Sequence, residues 1–150
     1  ALFFALVGVV YDRSHSRDIS VFQGLAKRMG ITSAFFAVAG LTSLGLPGFS
    51  GFIAELLVFI GLFKTYPIVG VLGVVGAAMT AVYILRLISR VFFGPLDPRW
   101  DKLTDCSRLE GVTMFSLVAV LIFGGVYPQP FTHMIDEGIL PILNRINLLT

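Results

Sequence analysis

Four long stretches of this sequence contain no Asp, Glu, Lys or Arg: residues 1–11, 29–54, 65–85 and 111–135. A soluble domain of 150 residues cannot bury so much continuous apolar chain, whereas a lipid bilayer accommodates it. The composition agrees, since 56% of the residues are hydrophobic and only 13% are charged. The sequence therefore predicts an all-α, polytopic bundle of transmembrane helices and excludes a soluble enzyme.

The remaining residue types exclude further classes of function. A net charge of +2, with no basic stretch interleaved with aromatic residues, argues against nucleic acid as a partner. The single cysteine, Cys106, has no second cysteine for a disulfide, and no group of Cys and His has the spacing of a zinc or iron–sulfur site. No Ser/His/Asp set, phosphate loop or pair of catalytic carboxylates is present. We therefore expect no redox catalytic site and no bound metal or cofactor in this chain.

Charged loops divide the apolar chain into segments. Residues 1–11 have about half the length of a ~20-residue span, so we expect a truncated helix and a chain that is a fragment. Residues 12–30 are predicted to be a polar loop followed by a short amphipathic helix at the membrane interface, because apolar residues recur at helical spacing from Ile19 to Met29.

The second half of the chain follows a simpler pattern. Transmembrane helices are predicted at 67–93 and 111–127, with a polar loop at 94–110 between them. Gly70, Gly73 and Gly76 recur at near three-residue intervals in the first of these helices, which favours close packing against a neighbouring helix. Residues 128–150 are predicted to form an amphipathic surface tail, interrupted at Pro141.

The apolar block at 31–64 is too long for one straight span of about 20 residues and too short for a hairpin of two spans. Its middle, at 45–51, holds three glycines and a proline, which regular helix does not accommodate. They are Gly45, Pro47, Gly48 and Gly51. The pattern predicts a discontinuous helix, in which two half-helices are joined by an irregular segment inside the membrane.

The distribution of basic residues favours a single crossing by this block. If it crosses once, nine basic residues share one side of the membrane, and only Lys64 and Arg145 lie on the other. If it crosses twice, the division is five against at least five. The positive-inside rule prefers the uneven arrangement and places the loops at 12–30 and 95–110 in the cytoplasm or on the equivalent face.

Glu55 is the one acidic residue between Asp18 and Asp97. An ionisable group at membrane depth is costly, so it is a functional candidate by default. It lies in the opening turns of the second half-helix, where Ser50 is available as a cap. Loss of hydration favours the neutral acid, whereas the helix dipole and any nearby cation favour the carboxylate. We expect Glu55 to be a proton relay; a static ion pair or a cap on the broken backbone is the alternative.

Other polar side chains inside the predicted spans are candidates for a hydrated path beside Glu55, although such groups more often bond to their own helix. They are Thr42, Ser43, Ser50, Thr80 and Tyr83. Lys64 is either a second relay group or a helix-end lysine whose ammonium reaches the interface. The sequence leaves this choice open.

At Leu44–Leu56 the sequence reads LGLPGFSGFIAEL, which resembles the broken-helix motif of a known membrane family. The family is the antiporter-like subunit M (chain 4) of proton-pumping NADH:quinone oxidoreductase, respiratory complex I. The HSRD sequence at 15–18, Arg90–Gly94 and Gly125–Phe131 resemble further motifs of this family, in the same order along the chain.

The resemblance implies the carboxy-terminal portion of a multi-pass subunit built from two inverted repeats. It implies that Glu55 lies on a proton path, and that NADH, flavin, iron–sulfur clusters and quinone belong to partner subunits. The implied partners are neighbouring antiporter-like subunits and the lipid bilayer, in a bacterial plasma membrane or an organellar energy-transducing membrane.

Two other functions stay open at this point. The chain also fits a subunit of a multisubunit cation/proton antiporter or of a membrane-bound hydrogenase. Antiporter relatives usually present a lysine near the position of Glu55, by resemblance, which favours the oxidoreductase. The other open function is a passive membrane scaffold, in which the broken helix only permits tight packing.

Overall fold

The structure, a computed structural model, describes residues 1–147. Every regular element in this range is helical, which confirms the all-α prediction. The helices are α1 (Leu2–Ser14), α2 (Gly30–Ser43), α3 (Ser50–Thr65), α4 (Pro67–Phe92), α5 (Arg108–Val126) and α6 (Gln129–Asn147). Short 3-10 turns at Ile19–Val21, Leu25–Lys27 and Pro98–Trp100 lie in the connecting loops.

Within the described residues, α4 and α5 are the two helices long and apolar enough to cross a bilayer by themselves. The helices α2 and α3 have 14 and 16 residues. At 1.5 Å per residue these correspond to about 21 and 24 Å, short of the ~30 Å hydrocarbon core. Six residues, 44–49, separate them and are called the interruption below. That the pair makes one crossing stays a prediction.

The helices α3 and α4 pack closely through two of the three glycines picked out in the sequence. A Cβ added to Gly70 would lie 3.1 Å from the ring of Phe63, and one added to Gly73 would lie 3.2 Å from the ring of Phe59. A Cβ on Gly76 would meet no atom within 4 Å. The small residues at 70 and 73 therefore let two phenylalanine rings lie directly on the α4 backbone.

The hydrophobic core lies between α1, α2, α4 and α5, near the loops that precede α2 and α5. Leu6, Leu25 and Met29 are fully buried there, and Phe92 and Met114 are nearly so. Aromatic rings add edge and tilted contacts, with the Phe36 and Phe92 centroids 4.8 Å apart. This core anchors the start of α2, and so the first half of the interrupted pair.

The loop from residue 15 to 29, called the first loop, packs directly on the loop from 93 to 107, called the second loop. The Trp100 indole N–H donates to the Val21 carbonyl at 2.8 Å, and the ring packs against Phe22 in a tilted arrangement with centroids 5.1 Å apart. Arg28 forms an ion pair with Asp101 across the same contact. The two loops therefore lie at the same end of the bundle.

The amphipathic helix predicted within 12–30 is wrong in its secondary structure. Residues there form two 3-10 turns separated by Gly24, which has a φ of 68°. A Cβ at Gly24 would overlap the backbone of Pro95 and Leu96. Contact with the second loop therefore outweighs the helical periodicity, while Phe22 and Leu25 are buried in the core instead of facing lipid.

The predicted interruption of the tail at Pro141 is also not found, because α6 continues through this residue. Proline has no N–H, so the carbonyl of Glu137 loses its helical hydrogen bond, which an exposed helix tolerates by hydration. Residues 148–150 of the predicted tail lie outside the described residues.

The N-terminus of α2 is capped from a distant part of the chain. The Asp105 carboxylate accepts the Ile31 N–H at 2.7 Å, the Thr32 N–H at 3.1 Å and the Thr32 hydroxyl at 2.8 Å. Partial burial alone would raise the pKa of Asp105, but these hydrogen bonds outweigh it, and the pKa is lowered. The second loop thus supplies the cap that α2 does not have locally.

Replacement of Asp105 by asparagine should loosen the start of α2. A neutral amide keeps the shape but loses the charge, so we expect a cost of about 1 kcal/mol and roughly fivefold faster hydrogen exchange at Ile31 and Thr32. Because the folded pKa is lowered, the stabilisation is full above about pH 3.9 and is lost as the pH falls through the lowered value. The Asn variant should lack this pH dependence. Asp136→Asn, at an exposed position of α6, is the matched control; equal exchange in both variants would contradict the capping role.

Candidate functional site

The helix α2 ends in a Schellman motif centred on Gly45. The Leu46 N–H donates to the Leu41 carbonyl at 3.1 Å, and the Gly45 N–H donates to the Thr42 carbonyl at 3.2 Å. Gly45 has a φ of 63°, the left-handed conformation that this motif requires and that glycine adopts without a Cβ penalty. Local sequence therefore stops α2 and satisfies two of its last carbonyls.

A tight turn completes the interruption. The Phe49 N–H donates to the Leu46 carbonyl at 3.2 Å, with Pro47 and Gly48 at the two central positions. Gly48 has a φ of 100°, so the order proline then glycine matches a type II β-turn. The missing side chain of Gly51 then lets the α3 backbone come close to the α2 backbone, because a Cβ there would overlap the carbonyl oxygen of Thr42. The first turn of α3 therefore starts directly beside the last turn of α2.

Glu55 lies in the second turn of α3, partly buried, and its carboxylate reaches back to the interruption. Side chains of a helix tilt towards its N-terminus, which accounts for this direction. The carboxylate oxygen Oε2 occupies the space that a Cβ on Gly45 would need. The four ion pairs within residues 1–147 join other side chains, so no cation described here neutralises Glu55.

Two of the predicted path residues bond to their own helix. The Thr42 hydroxyl donates to the Val38 carbonyl at 2.9 Å, and the Thr80 hydroxyl donates to the Gly76 carbonyl at 3.1 Å. These bonds match the ordinary structural role of threonine in membrane helices. Neither hydroxyl is directed by a hydrogen bond towards Glu55.

The remaining candidates are divided between different surfaces. Ser43 and Tyr83 line one open, mostly apolar cleft together with Thr80. Ser50 lines a separate groove between α3, α5 and α6. Lys64 is exposed in the last turn of α3. The structure therefore brings Glu55 together with Gly45, but it does not bring the polar candidates into one cluster with Glu55.

The predicted capping role of Ser50 is wrong. The helix α3 begins with Phe49 as its N-cap, and no side chain caps it. Ser50 is already the first helical residue, because the turn that ends at Phe49 uses up the residues before it. The positive end of the α3 dipole therefore meets the interruption without a side-chain acceptor from Ser50.

Sequence reasoning missed the glycine pair that covers the interruption. Gly124 and Gly125 lie in the last turn of α5, and a Cβ on Gly125 would overlap the backbone of Gly48 and Phe49. Two consecutive glycines inside a predicted span were a signal of close backbone approach. Their partner was not predictable, because it lies far away in the sequence.

We expect Gly45→Ala to destabilise the fold because alanine resists the left-handed conformation and its Cβ displaces the Glu55 carboxylate. The left-handed conformation alone lowers the free energy of unfolding by about 1–2 kcal/mol. Gly61→Ala is the matched control, since Gly61 lies within α3 with no atom within 4 Å of an added Cβ. It should leave stability unchanged or raise it by up to about 1 kcal/mol. Denaturant unfolding of the full-length subunit in detergent measures both; equal stabilities would contradict the tight fit at Gly45.

Comparison with known proteins identifies relatives over nearly the whole chain. Residues 1–80 match the family described as NADH:quinone oxidoreductase/Mrp antiporter, TM. NADH-quinone oxidoreductase subunit M of Rhodobacter capsulatus is 36% identical over 143 residues, which cover 95% of this chain and 28% of that protein. NAD(P)H-quinone oxidoreductase chain 4 1 of Synechococcus elongatus is 39% identical over 145 residues, which cover 91% of this chain and 27% of that protein.

Solved structures of membrane complexes share the fold. Respiratory complex I from Thermus thermophilus with bound NADH matches with a TM-score of 0.77 and 28% identity, over 82% of this chain and 26% of that one. The archaeal membrane-bound sulfane sulfur reductase matches with a TM-score of 0.79 and 30% identity, over 85% and 21%. The Mrp complex from Dietzia matches with a TM-score of 0.73 and 18% identity, over 87% of this chain and 32% of that one. At this identity the match shows a shared fold and nothing more.

The family match and the curated relatives point to the same family, but the relatives are much longer than this chain. The chain spans less than a third of the curated relatives that it matches, with 27% and 28% of the two named above. The family match covers residues 1–80, which include α1, α2, the interruption, Glu55 and half of α4. The chain belongs to the NADH:quinone oxidoreductase/Mrp antiporter family of transmembrane proteins.

Proposed function

We propose that this chain is part of an antiporter-like membrane subunit of an NADH:quinone oxidoreductase, and that Glu55 transfers protons within it. The observation that carries the proposal is the contact of the Glu55 carboxylate with Gly45 at the interruption, where no described cation neutralises it. The names of the relatives at 36% and 39% identity support the assignment to an oxidoreductase.

Part of the proposal is that α2 and α3 together cross the membrane once. The contact between the first and second loops supports it, because loops that touch share one side of the membrane. The helix α4 crosses between them, so residues 30–65 must cross an odd number of times. With helices of 14 and 16 residues, one crossing is the arrangement that fits.

In this arrangement Glu55 lies well inside the bilayer, where an ionisable side chain is costly and is a functional candidate by default. A carboxylate next to broken helix ends is favoured by the positive end of α3 and disfavoured by loss of water. We propose that a change in these surroundings makes Glu55 take up or release a proton during turnover. We propose that redox chemistry in partner subunits, which hold the NADH, flavin, iron–sulfur and quinone sites, drives that change. The complex then lies in a bacterial plasma membrane or an organellar energy-transducing membrane.

A proton also needs a route to and from Glu55. Of the predicted path residues, Ser43 is the nearest in sequence to Gly45, and it shares its cleft with Thr80 and Tyr83. Lys64 is nine residues beyond Glu55, about 13 Å along the axis of α3, which is too far for a direct ion pair. We therefore propose Lys64 as a helix-end group at the opposite interface, where a proton would leave or enter.

A second candidate is a subunit of another redox-driven membrane complex. The structural match to the archaeal membrane-bound sulfane sulfur reductase, at 30% identity, favours it. The same Glu55 chemistry would then be coupled to a different electron acceptor. Assay of NADH:quinone and sulfane sulfur reduction by the purified full complex separates the two candidates.

We expect Glu55→Gln in the assembled complex to lower proton pumping and coupled quinone reduction by about 10²-fold, the usual contribution of a proton-transferring group. Glutamine fills the same volume but cannot carry a proton. Glu55→Asp keeps an acid and should retain much of the rate. Glu137→Gln, on exposed α6, is the matched control and should pump normally.

Pumping is measured by acidification of vesicle interiors during quinone reduction, with assembly checked separately. Wild-type pumping by Glu55→Gln would refute the relay. Loss of assembly in Glu55→Gln, but not in Glu137→Gln, would support the scaffold reading instead.

A further inference from the structure

The interruption is covered by the last turn of α5 through contact between backbones. Gly125 lies so close to the Gly48 carbonyl and to the Phe49 backbone that a Cβ at this position would overlap both. Gly124, one residue earlier, would place a Cβ 3.1 Å from the Cβ of Ser50. Two glycines of one helix thus meet the turn and the first residue of α3.

The effect of a substitution at Gly125 depends on whether the atoms it meets belong to a side chain or to the backbone. A flexible side chain can move aside, but the contacts of Gly125 are backbone atoms in a hydrogen-bonded turn. The Phe49 N–H to Leu46 carbonyl bond closes that turn, and Leu46 follows Gly45 directly. A displacement of Gly48 and Phe49 therefore shifts Gly45 on one side and the start of α3 on the other.

The helix α5 is not free to slide away, because its other end is fixed. Glu110 pairs with Arg13 of α1 at 2.7 Å, and Ser107 forms a capping box with Glu110. The buried Met114 and Val118 hold the next turns in the core. Crowding at Gly125 is therefore relieved mainly at the interruption.

We propose that Gly125 is a positioning residue, which holds the interruption so that the Glu55 carboxylate rests against Gly45. This inference rests on the proposed role of Glu55. It assigns to α5 the function of setting the surroundings of that carboxylate through its contact with the interruption. Gly124 has the same role with a weaker contact, since its neighbour is a side-chain carbon.

The difference between the two glycines gives a rescue experiment. A methyl group on Gly124 would lie tightly against the Cβ of Ser50, at 3.1 Å, so removal of that Cβ in the double variant Gly124→Ala/Ser50→Gly makes room for it. A methyl group on Gly125 collides with backbone, so Ser50→Gly should not rescue Gly125→Ala. Alanine is the better helix former, so a loss in either single variant arises from the contact.

The test uses the full complex with each variant in the full-length subunit, and Gly76→Ala as the control with no atom near its added Cβ. We expect Gly125→Ala to lower the rate of proton pumping by about tenfold or more, since small misplacements of a reacting group lower reaction rates by up to ~10²-fold. Gly124→Ala should lose less and should recover in the double variant towards the level of Ser50→Gly alone. The carboxyl band that Glu55→Gln removes from the redox-induced infrared difference spectrum should shift in Gly125→Ala.

Wild-type pumping and an unshifted Glu55 band in Gly125→Ala would overturn the positioning role. Equal rescue of both alanine variants by Ser50→Gly would also overturn it, since the contacts would then not be those described. These outcomes are distinct from failure of the proposed function, which Glu55→Gln with normal pumping would reveal by itself.

Discussion

Backbone N–H and C=O groups inside a bilayer have no water to bind, so an irregular segment there must satisfy them within the protein. In the proposed crossing, hydrogen bonds from Leu46 to Leu41, from Gly45 to Thr42 and from Phe49 to Leu46 contribute to this at residues 44–49. Two positive-φ glycines make those bonds possible, and the last turn of α5 covers the turn through Gly125. The rest of the arrangement follows from this small structure, because it decides where α3 begins and how closely α3 follows α2.

The interruption also creates the surroundings of Glu55. An unbroken helix would bury an acidic side chain among lipid tails or neighbouring helices, where it is costly. Here the missing side chain of Gly45 leaves space that the Glu55 carboxylate fills. The same glycine thus ends α2 and receives the acid. Near the loops, the ion pair between Arg13 and Glu110 joins α1 to α5, and the ion pair between Arg28 and Asp101 joins the first loop to the second.

Features that depend on neighbouring residues were predictable from the sequence, and features that depend on distant contacts were not. The positions of Gly45, Pro47 and Gly48, the two long spans and the isolation of Glu55 are all local properties. The helix expected at 19–29 failed because Gly24 fits against Pro95 and Leu96, and Asp105 was missed because it caps a helix more than seventy residues away. Gly125 showed a local signal, but its partner was visible only in the fold.

In the proposed topology α2 and α3 make one crossing, with Glu55 of α3 beside the interruption, and the sidedness of the flanking loops is the decisive observation. Single cysteines at Ser20, Tyr66 and Lys102, all exposed, would be placed in an otherwise cysteine-free full-length subunit and labelled with a membrane-impermeant maleimide from each side. With a single crossing, Ser20→Cys and Lys102→Cys should react from one side and Tyr66→Cys from the other. Reaction of Ser20→Cys and Tyr66→Cys from the same side, with Lys102→Cys opposite, would contradict it.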